Sequence, residues 1–244
     1  MIVPCGTLTA IIMIKRFSII LSCCLILFGC QEKKTINTGE TFSDLKNKAE
    51  NGDSSAQFLL AACYKNGTGV EQNKKTMFQW YLKSADNGYD SAYYQLGNCY
   101  MQGEGTTKNA YIAVSWYKKA AEKGIDKAQN NLANCYKNGL GTSVNLDSAI
   151  FLYNEAANKG LLSAQNNLAN LYASGKYIKT NYSKALFWYQ KAAKQNDLDA
   201  QFMTGYMLLN GIGIKRDTIR ARHFLELAAK QKNTNAIELL NKLN

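Results

Sequence analysis

The stretch Ala128-Gln129-Asn130-Asn131-Leu132-Ala133-Asn134-Cys135-Tyr136-Lys137-Asn138-Gly139-Leu140-Gly141 decides the fold. Ala128, Leu132, Ala133 and Tyr136 stand at offsets 0, 4, 5 and 8. That spacing is one apolar stripe of a helix with about 3.6 residues per turn. Gly139 and Gly141 let the chain leave the helix through positive φ and reverse. Asn145 follows as a capping residue. Leu146, Ala149, Ile150, Tyr153, Ala156 and Ala157 form a second helical stripe, which Gly160 ends. One unit therefore reads helix, glycine loop, helix, turn.

The same pattern recurs at a step of 36 residues, marked by Ala56, Ala92, Ala128, Ala164, Ala200 and Ala236. Tyr64, Tyr100, Tyr136 and Tyr172 keep that step, as do Ala120-Ala121, Ala156-Ala157, Ala192-Ala193 and Ala228-Ala229. Asn73, Asn109, Asn145, Asn181 and Asp217 occupy the N-cap position of the second helix in successive units. A fixed period of this length means identical supersecondary units stacked in a row. The fold class is all-α, an α-solenoid of stacked helix-turn-helix repeats. Residues 42–51 read as an N-terminal capping helix, 52–235 as five repeats and 236–244 as a C-terminal capping helix. The single proline, Pro4, lies outside the repeats, so no helix of the array is kinked by one.

Small residues set how closely two helices approach. Ala133, Ala157 and Ala169, with Gly97 and Gly205 at matching positions, are the expected contact points. Trp80, Trp116 and Trp188 share one register position, held by Leu152 and Phe224 in the other units, and Tyr81, Tyr117, Tyr153 and Tyr189 follow them directly. An aromatic stripe at this spacing reads as core packing.

The pattern Ala-Gln-x-x-Leu-Ala-x-x-Tyr-x-x-Gly-x-Gly, completed by Trp116-Tyr117-Lys118-Lys119-Ala120-Ala121, resembles the Sel1-like repeats, relatives of the tetratricopeptide repeat. The resemblance covers nearly everything after residue 42. It implies a right-handed superhelix whose surface engages protein or peptide partners, and no single activity. Two units depart: Gly175-Lys176-Tyr177 lacks the second glycine, and the fifth unit has Thr204 where leucine is expected and Leu208 where tyrosine is.

The N-terminus reads as a targeting segment. Lys15 and Arg16 precede the apolar run Phe17 to Phe28, which is short for a membrane span and fits a signal core. Leu27-Phe28-Gly29-Cys30 then resembles a bacterial lipoprotein signal, which implies lipidation of Cys30. Residues 1–29 are thus the expected signal segment, with Met13 as the initiator, and 30–41 a polar tether. An uncleaved anchor from Leu8 to Phe28 is the alternative, and it would carry Lys15 and Arg16 in its middle at considerable cost. Gln31 after the cysteine, by analogy with lipoprotein sorting, favours the periplasmic face of an outer membrane. The expected location is the bacterial cell envelope.

Cys63, Cys99 and Cys135 sit one step apart on the first helices, with Leu171 and Met207 at the same position later. Equivalent positions of stacked hairpins lie roughly 9–10 Å apart, beyond the Cα separation of about 7 Å that a disulfide tolerates. Three buried free thiols are expected. A disulfide-stapled branch of the resembled family pairs cysteines within each hairpin, and this chain has no such pair, so that branch's penicillin binding is not carried over. The chain holds 29 basic and 18 acidic residues; setting aside Lys15 and Arg16 leaves 27 against 18, a formal +9. A solvated lysine-rich face accounts for that charge, and attraction to anionic lipid or an acidic partner is the alternative. No basic-aromatic nucleic-acid motif is present.

Catalytic equipment is sparse. His223 is the single histidine, at a variable position of a second helix. One imidazole makes no metal cluster without carboxylate or thiolate help. The recurring Gly-x-Gly follows a helix, not a strand, so it is a hairpin turn and no phosphate loop. No Gly-x-Ser-x-Gly elbow occurs. The expectation is no enzyme, no cofactor and no metal; a β-lactam or cell-wall hydrolase is the disfavoured alternative.

On the first helices, offsets 2, 3 and 6 from the marker alanine fall off the apolar stripe. They read Asn130, Asn131, Asn134 in the third unit and Asn166, Asn167, Asn170 in the fourth, with Asn98 in the second. First helices of such hairpins usually line the concave face, and asparagine carries both donor and acceptor. A ladder of Asn98, Asn130, Asn134, Asn166 and Asn170 could grip an extended peptide, with Phe58, Tyr94, Phe202 and Tyr206 as apolar anchors; the alternative is that these asparagines are solubilising filler. The expected function is a non-catalytic binding scaffold, monomeric, lipid-tethered in the periplasm. The resemblance adds a specific form, an immunity protein that blocks a lipase-type antibacterial effector.

Overall fold

The computed structural model describes residues 41–243. Twelve helices fill that range: α1 (Phe42–Glu50), α2 (Ser54–Asn66), α3 (Lys74–Asp86), α4 (Asp90–Gln102), α5 (Ala110–Glu122), α6 (Asp126–Asn138), α7 (Leu146–Asn158), α8 (Leu162–Ser174), α9 (Tyr182–Ala193), α10 (Leu198–Asn210), α11 (Thr218–Lys230) and α12 (Thr234–Lys242). No strand occurs among the described residues. Each helix packs chiefly on its sequence neighbours, so α2/α3, α4/α5, α6/α7, α8/α9 and α10/α11 form five hairpins, with α1 and α12 at the ends. This is an all-α solenoid. The expected signal segment, Cys30 and most of the polar tether lie outside the described residues.

Local chemistry places the helix ends. The side chains of Asn73, Asn109, Asn145, Asn181 and Asp217 each accept from the backbone N–H three residues on. Such caps stabilise a helix by about 1 kcal/mol apiece. Their own backbone N–H groups reach back across the loop to the carbonyls of Tyr64, Tyr100, Tyr136, Tyr172 and Leu208. Each loop is thereby clamped to the helix that precedes it. Thr41 and Asp44 form a reciprocal capping box at the start of α1.

The marker alanines are fully enclosed, at 0–3 % exposure from Ala56 to Ala236. Leu60, Leu96, Leu132 and Leu168 fill the same slot beside them, and Thr204 takes it in the fifth hairpin, its hydroxyl without a hydrogen-bond partner among the described residues. At Gly97 a Cβ would come within 2.4 Å of the Tyr117 ring, and at Gly205 within 2.7 Å of Leu225. Small residues at these points set the approach, as the spacing predicts. Among the aromatics, Tyr81, Tyr117, Tyr153 and Tyr189 are deeply buried, as is Trp188, whereas Trp80 and Trp116 are half-buried.

A second set of contacts ties the first helix of a hairpin to the end of its second. Buried Gln57, Gln129, Gln165 and Gln201 each accept from a residue 30 positions later: Asn87, Lys159, Gln195 and Gln231. The same four donors also reach the carbonyls of Gly52, Gly124, Gly160 and Asn196. A polar staple thus recurs in four of the five hairpins. At the remaining one Tyr93 replaces glutamine and stacks on Trp116, while Lys123 pairs with Asp90 at 3.3 Å.

Candidate interaction surface on the first helices

The residues expected to face a partner come from α2, α4, α6, α8 and α10. The structure brings three of the asparagines into one repeated arrangement. Asn98, Asn134 and Asn170 each accept, through Oδ1, a hydrogen bond from the hydroxyl of Tyr117, Tyr153 and Tyr189 on the second helix of the same hairpin, at 2.8, 2.5 and 2.6 Å. Burial pushes all four register tyrosines, Tyr81 included, above the ordinary phenol range. They are therefore obligate neutral O–H donors, and the asparagine oxygens answer them. A buried hydroxyl left without that acceptor costs roughly 1–3 kcal/mol.

With their oxygens committed, Asn98, Asn134 and Asn170 keep amide N–H groups that have no partner among the described residues and are not enclosed. Each amide is fixed in orientation by a buried tyrosine. The set is a ladder of donors, where the sequence alone leaves both donor and acceptor open.

The other members are placed differently. Asn130 is buried at 6 % exposure, accepts from Asn167 at 2.8 Å and donates to Asn131. Its amide is spent on joining the third and fourth hairpins. Asn131 in turn donates to Asn98 and to the Tyr117 hydroxyl, joining the second and third. Asn166 is half-buried with no hydrogen-bond partner among the described residues. Phe58 lies half-buried between Tyr81 and Tyr89, at ring separations of 5.4 and 5.1 Å. Tyr94 rests 6.3 Å from Tyr117, and Phe202 lies 6.1 Å from the exposed Tyr206. The aromatics thus flank the amide ladder at both ends. Sequence reasoning missed the tyrosine hydroxyls and the glutamine staples; the signal available was a buried tyrosine 19 residues after each asparagine at offset 6.

Cys63, Cys99 and Cys135 are buried free thiols. Loss of solvation pushes Cys99 and Cys135 up to about 11 and raises Cys63 as well, so none is an activated nucleophile. His223 is exposed, edge-on to Phe224 at 5.4 Å. Among the described residues no three His, Cys, Asp or Glu side chains converge to hold a metal ion, and no helix is long and apolar enough to cross a membrane.

Comparison with known proteins places the architecture. Residues 54–89, 90–125, 126–161, 162–197 and 198–233 each match the Sel1 repeat. A solved protective antigen of uropathogenic Escherichia coli with an SLR fold is 32 % identical, with a TM-score of 0.76 over 81 % of this chain and 42 % of that one. A Sel1 repeat protein from Oxalobacter formigenes is 27 % identical, with a TM-score of 0.73 over 83 % and 59 %. The chain thus spans less than two thirds of either protein. An immunity protein from Pseudomonas aeruginosa shares the fold at 21 % identity and a TM-score of 0.50, over 78 % of this chain and 72 % of that one. No curated protein matches. With five consecutive matches running from residue 54 to 233 of 244, the chain belongs to the Sel1 repeat family.

Proposed function

We propose that this protein is a non-catalytic scaffold, held by lipid at Cys30 in the bacterial envelope, that binds a protein or peptide partner along its first helices. The observation that carries this reading is the donor ladder. Three amides, one per hairpin, are oriented by buried tyrosines and present N–H groups outward. A regular row of fixed donors suits a regular row of acceptors, such as the carbonyl oxygens of an extended peptide or the carboxylates of an acidic one. Phe58 and Tyr94 before the row, and Phe202 and Tyr206 after it, supply apolar contacts. Pre-orientation lowers the entropy lost on binding.

Some solved proteins of the same fold are immunity proteins, and inhibition of a toxin reaching the periplasm is one specific form of the same role. The neighbouring reading frame and co-purification with a secreted phospholipase separate that form from an envelope-assembly adaptor.

The test replaces Asn98, Asn134 and Asn170 together by aspartate in the full-length chain. Aspartate keeps the acceptor that each tyrosine needs but removes the outward donor. Capture of partner from detergent-solubilised membranes is expected to fall at least tenfold, with helicity and melting temperature preserved. Undiminished capture by the folded triple variant would discard the ladder as the binding element. Loss of membrane retention in Cys30→Ala, with labelled palmitate incorporated by the wild type alone, checks the tether separately.

A further inference from the structure

The register position that holds Trp80, Trp116 and Trp188 holds Leu152 in the third hairpin. In the second hairpin Trp116 is half-buried and stacked on Tyr93 of the first helix at 5.7 Å. In the fourth, Trp188 is 5 % exposed. Leu152 is too short to do the same. A cavity of about 370 Å³ opens beside it, between α5, α6 and α7, with Leu132, Tyr136, Gln129 and Leu152 lining it and Phe151 among its walls. Phe151 is 64 % exposed.

Two polar features of that cavity are unlike its counterparts. Gln57, Gln165 and Gln201 donate through Nε2 to the carbonyls of Ala49, Ala157 and Ala193 on the preceding helix. Gln129 makes no such bond. It is 5 % exposed, its Oε1 accepts from Lys159, and its Nε2 has no partner among the described residues. In addition, Lys83, Lys119 and Lys191 lie over the indoles of Trp80, Trp116 and Trp188, with the ammonium 4.3, 4.4 and 5.0 Å from the ring. The third hairpin has Glu155 in place of that lysine, and Glu122 also lines the cavity.

We infer that this slot receives a tryptophan side chain of a partner polypeptide, with a basic residue three positions later in the same segment paired to Glu155. Each tryptophan of the array carries a lysine ammonium above its indole, and Trp116 stacks on Tyr93, which stands at the register position of Gln129. Here Leu152 and Glu155 replace both halves of that pair, so a carboxylate stands at the register position of the lysine, while Lys118 of α5, also in the lining, holds its ammonium 5.9 Å from the Tyr136 ring. Gln129 Nε2 supplies a donor inside the slot for a carbonyl oxygen of the incoming segment. A desolvated indole buries a large apolar area for two rotatable bonds, which is why such side chains anchor interfaces. Glu155 selects the charge that accompanies it. The slot is formed by offsets 1, 4 and 8 of α6, so it is separate from the asparagine ladder at offsets 2, 3 and 6.

The probe is the peptide acetyl-Trp-Ala-Ala-Lys-amide carrying 5-fluorotryptophan, titrated with the full-length chain and followed by fluorine NMR. Saturable broadening is expected, weakened at least tenfold when leucine replaces the peptide's tryptophan in a competition assay. Leu152→Trp should close the slot, abolish binding and raise the melting temperature by about 2–4 °C. Glu155→Lys, a change on the surface, should weaken the lysine peptide at least threefold and favour acetyl-Trp-Ala-Ala-Glu-amide instead. A leucine peptide that competes as well as the tryptophan peptide, no binding at all, or binding indifferent to Glu155→Lys would each overturn the assignment. Because Glu155→Lys leaves the packing intact, the test survives a Leu152→Trp variant that fails to fold.

Discussion

The third and fourth hairpins have loops of equal length between equivalent ends, yet they close differently. In the loop from Gly139 to Asn145, Gly139 and Leu140 both donate to the Cys135 carbonyl, and Gly141 follows at φ 65°. A Cβ on Gly141 would lie 2.2 Å from the Ala110 carbonyl oxygen and 2.8 Å from the Tyr111 nitrogen, at the start of the preceding hairpin's second helix. The second glycine is therefore there for the neighbour: it lets one hairpin's loop rest on the previous hairpin's helix end. In the loop from Gly175 to Asn181, Tyr177 replaces that glycine and does not take positive φ. Neither Gly175 nor Lys176 donates to the Leu171 carbonyl; Lys176 reaches the Ser174 hydroxyl instead. Tyr177 docks by its side chain, its hydroxyl donating to Asn138 at 3.2 Å and its ring 5.8 Å from the Lys137 ammonium. Backbone contact and side-chain contact are alternative ways of seating one hairpin on the last.

The largest expected effect breaks the backbone version. Gly141→Ala puts a methyl into the Ala110 carbonyl and strains a left-handed residue, and should lower stability by about 2–4 kcal/mol. Tyr177→Ala removes a partly exposed aromatic contact and one hydrogen bond, and should cost only about 1 kcal/mol. Urea unfolding of both variants measures the gap. Equal losses would mean that the two loops seat their hairpins with the same contact after all.

The comparison extends along the chain. The first three hairpins carry Cys63, Cys99 and Cys135 where the last two carry Leu171 and Met207. Burial holds the Cys99 and Cys135 thiols at about 11 in the folded chain, against about 8.5 for an unfolded cysteine. Between those values the folded state keeps a proton that the unfolded state loses, so stability is full below about pH 8.5 and falls as pH rises towards 11. The loss by pH 10 is on the order of 2 kcal/mol per thiol. The raised tyrosines add a loss of the same sign above pH 10. Hydrogen exchange at pH 9.5 should show α2 to α6 loosening relative to pH 7 more than α8 to α11. Replacing Cys99 and Cys135 by alanine should flatten the pH dependence while lowering stability at neutral pH.

A departure without any substitute lies in the fifth hairpin. Thr204 takes the leucine slot at 0 % exposure, and its Oγ1 has no partner among the described residues. Thr204→Val keeps the shape and removes the orphaned hydroxyl, and should raise stability by about 1 kcal/mol in the same urea assay. A loss would place a hydrogen-bonding group near Thr204 that compensates it.

These cases also separate what the sequence discloses from what it hides. The caps Asn73 to Asp217, the marker alanines and the small contacts at Gly97 and Gly205 are legible because a residue of the same capping chemistry or small size returns at each step. The glutamine staples are not. They link positions 30 apart through donors that change from asparagine to lysine to glutamine, and whether those side chains meet depends on how the two helices of a hairpin cross, which no period encodes. The same limit governs the asparagines at offset 6. Their position off the apolar stripe is visible, but the commitment of their oxygens to Tyr117, Tyr153 and Tyr189 appears only when the two helices of a hairpin are brought face to face.

The smallest expected effect concerns the turn that closes each unit. Gly52, Gly88, Gly124 and Gly160 end the first four second-type helices at φ between 76° and 94°. Asn196 and Lys232 hold the same place in the last two, at φ 65° and 67°. Asn196 has a local reason to be there: its side chain accepts from Gln201 and from Gln231, so it is part of the staple. Lys232 is exposed and its side chain has no such role among the described residues. A non-glycine residue in the left-handed region costs about 1–2 kcal/mol, and glycine's extra unfolded-state freedom offsets part of any gain. Lys232→Gly should therefore stabilise by only about 0.5 kcal/mol, whereas Asn196→Gly should destabilise, because it removes the acceptor of two glutamine donors. If the two glycine variants shift the urea midpoint in the same direction, the staple contributes nothing at that junction.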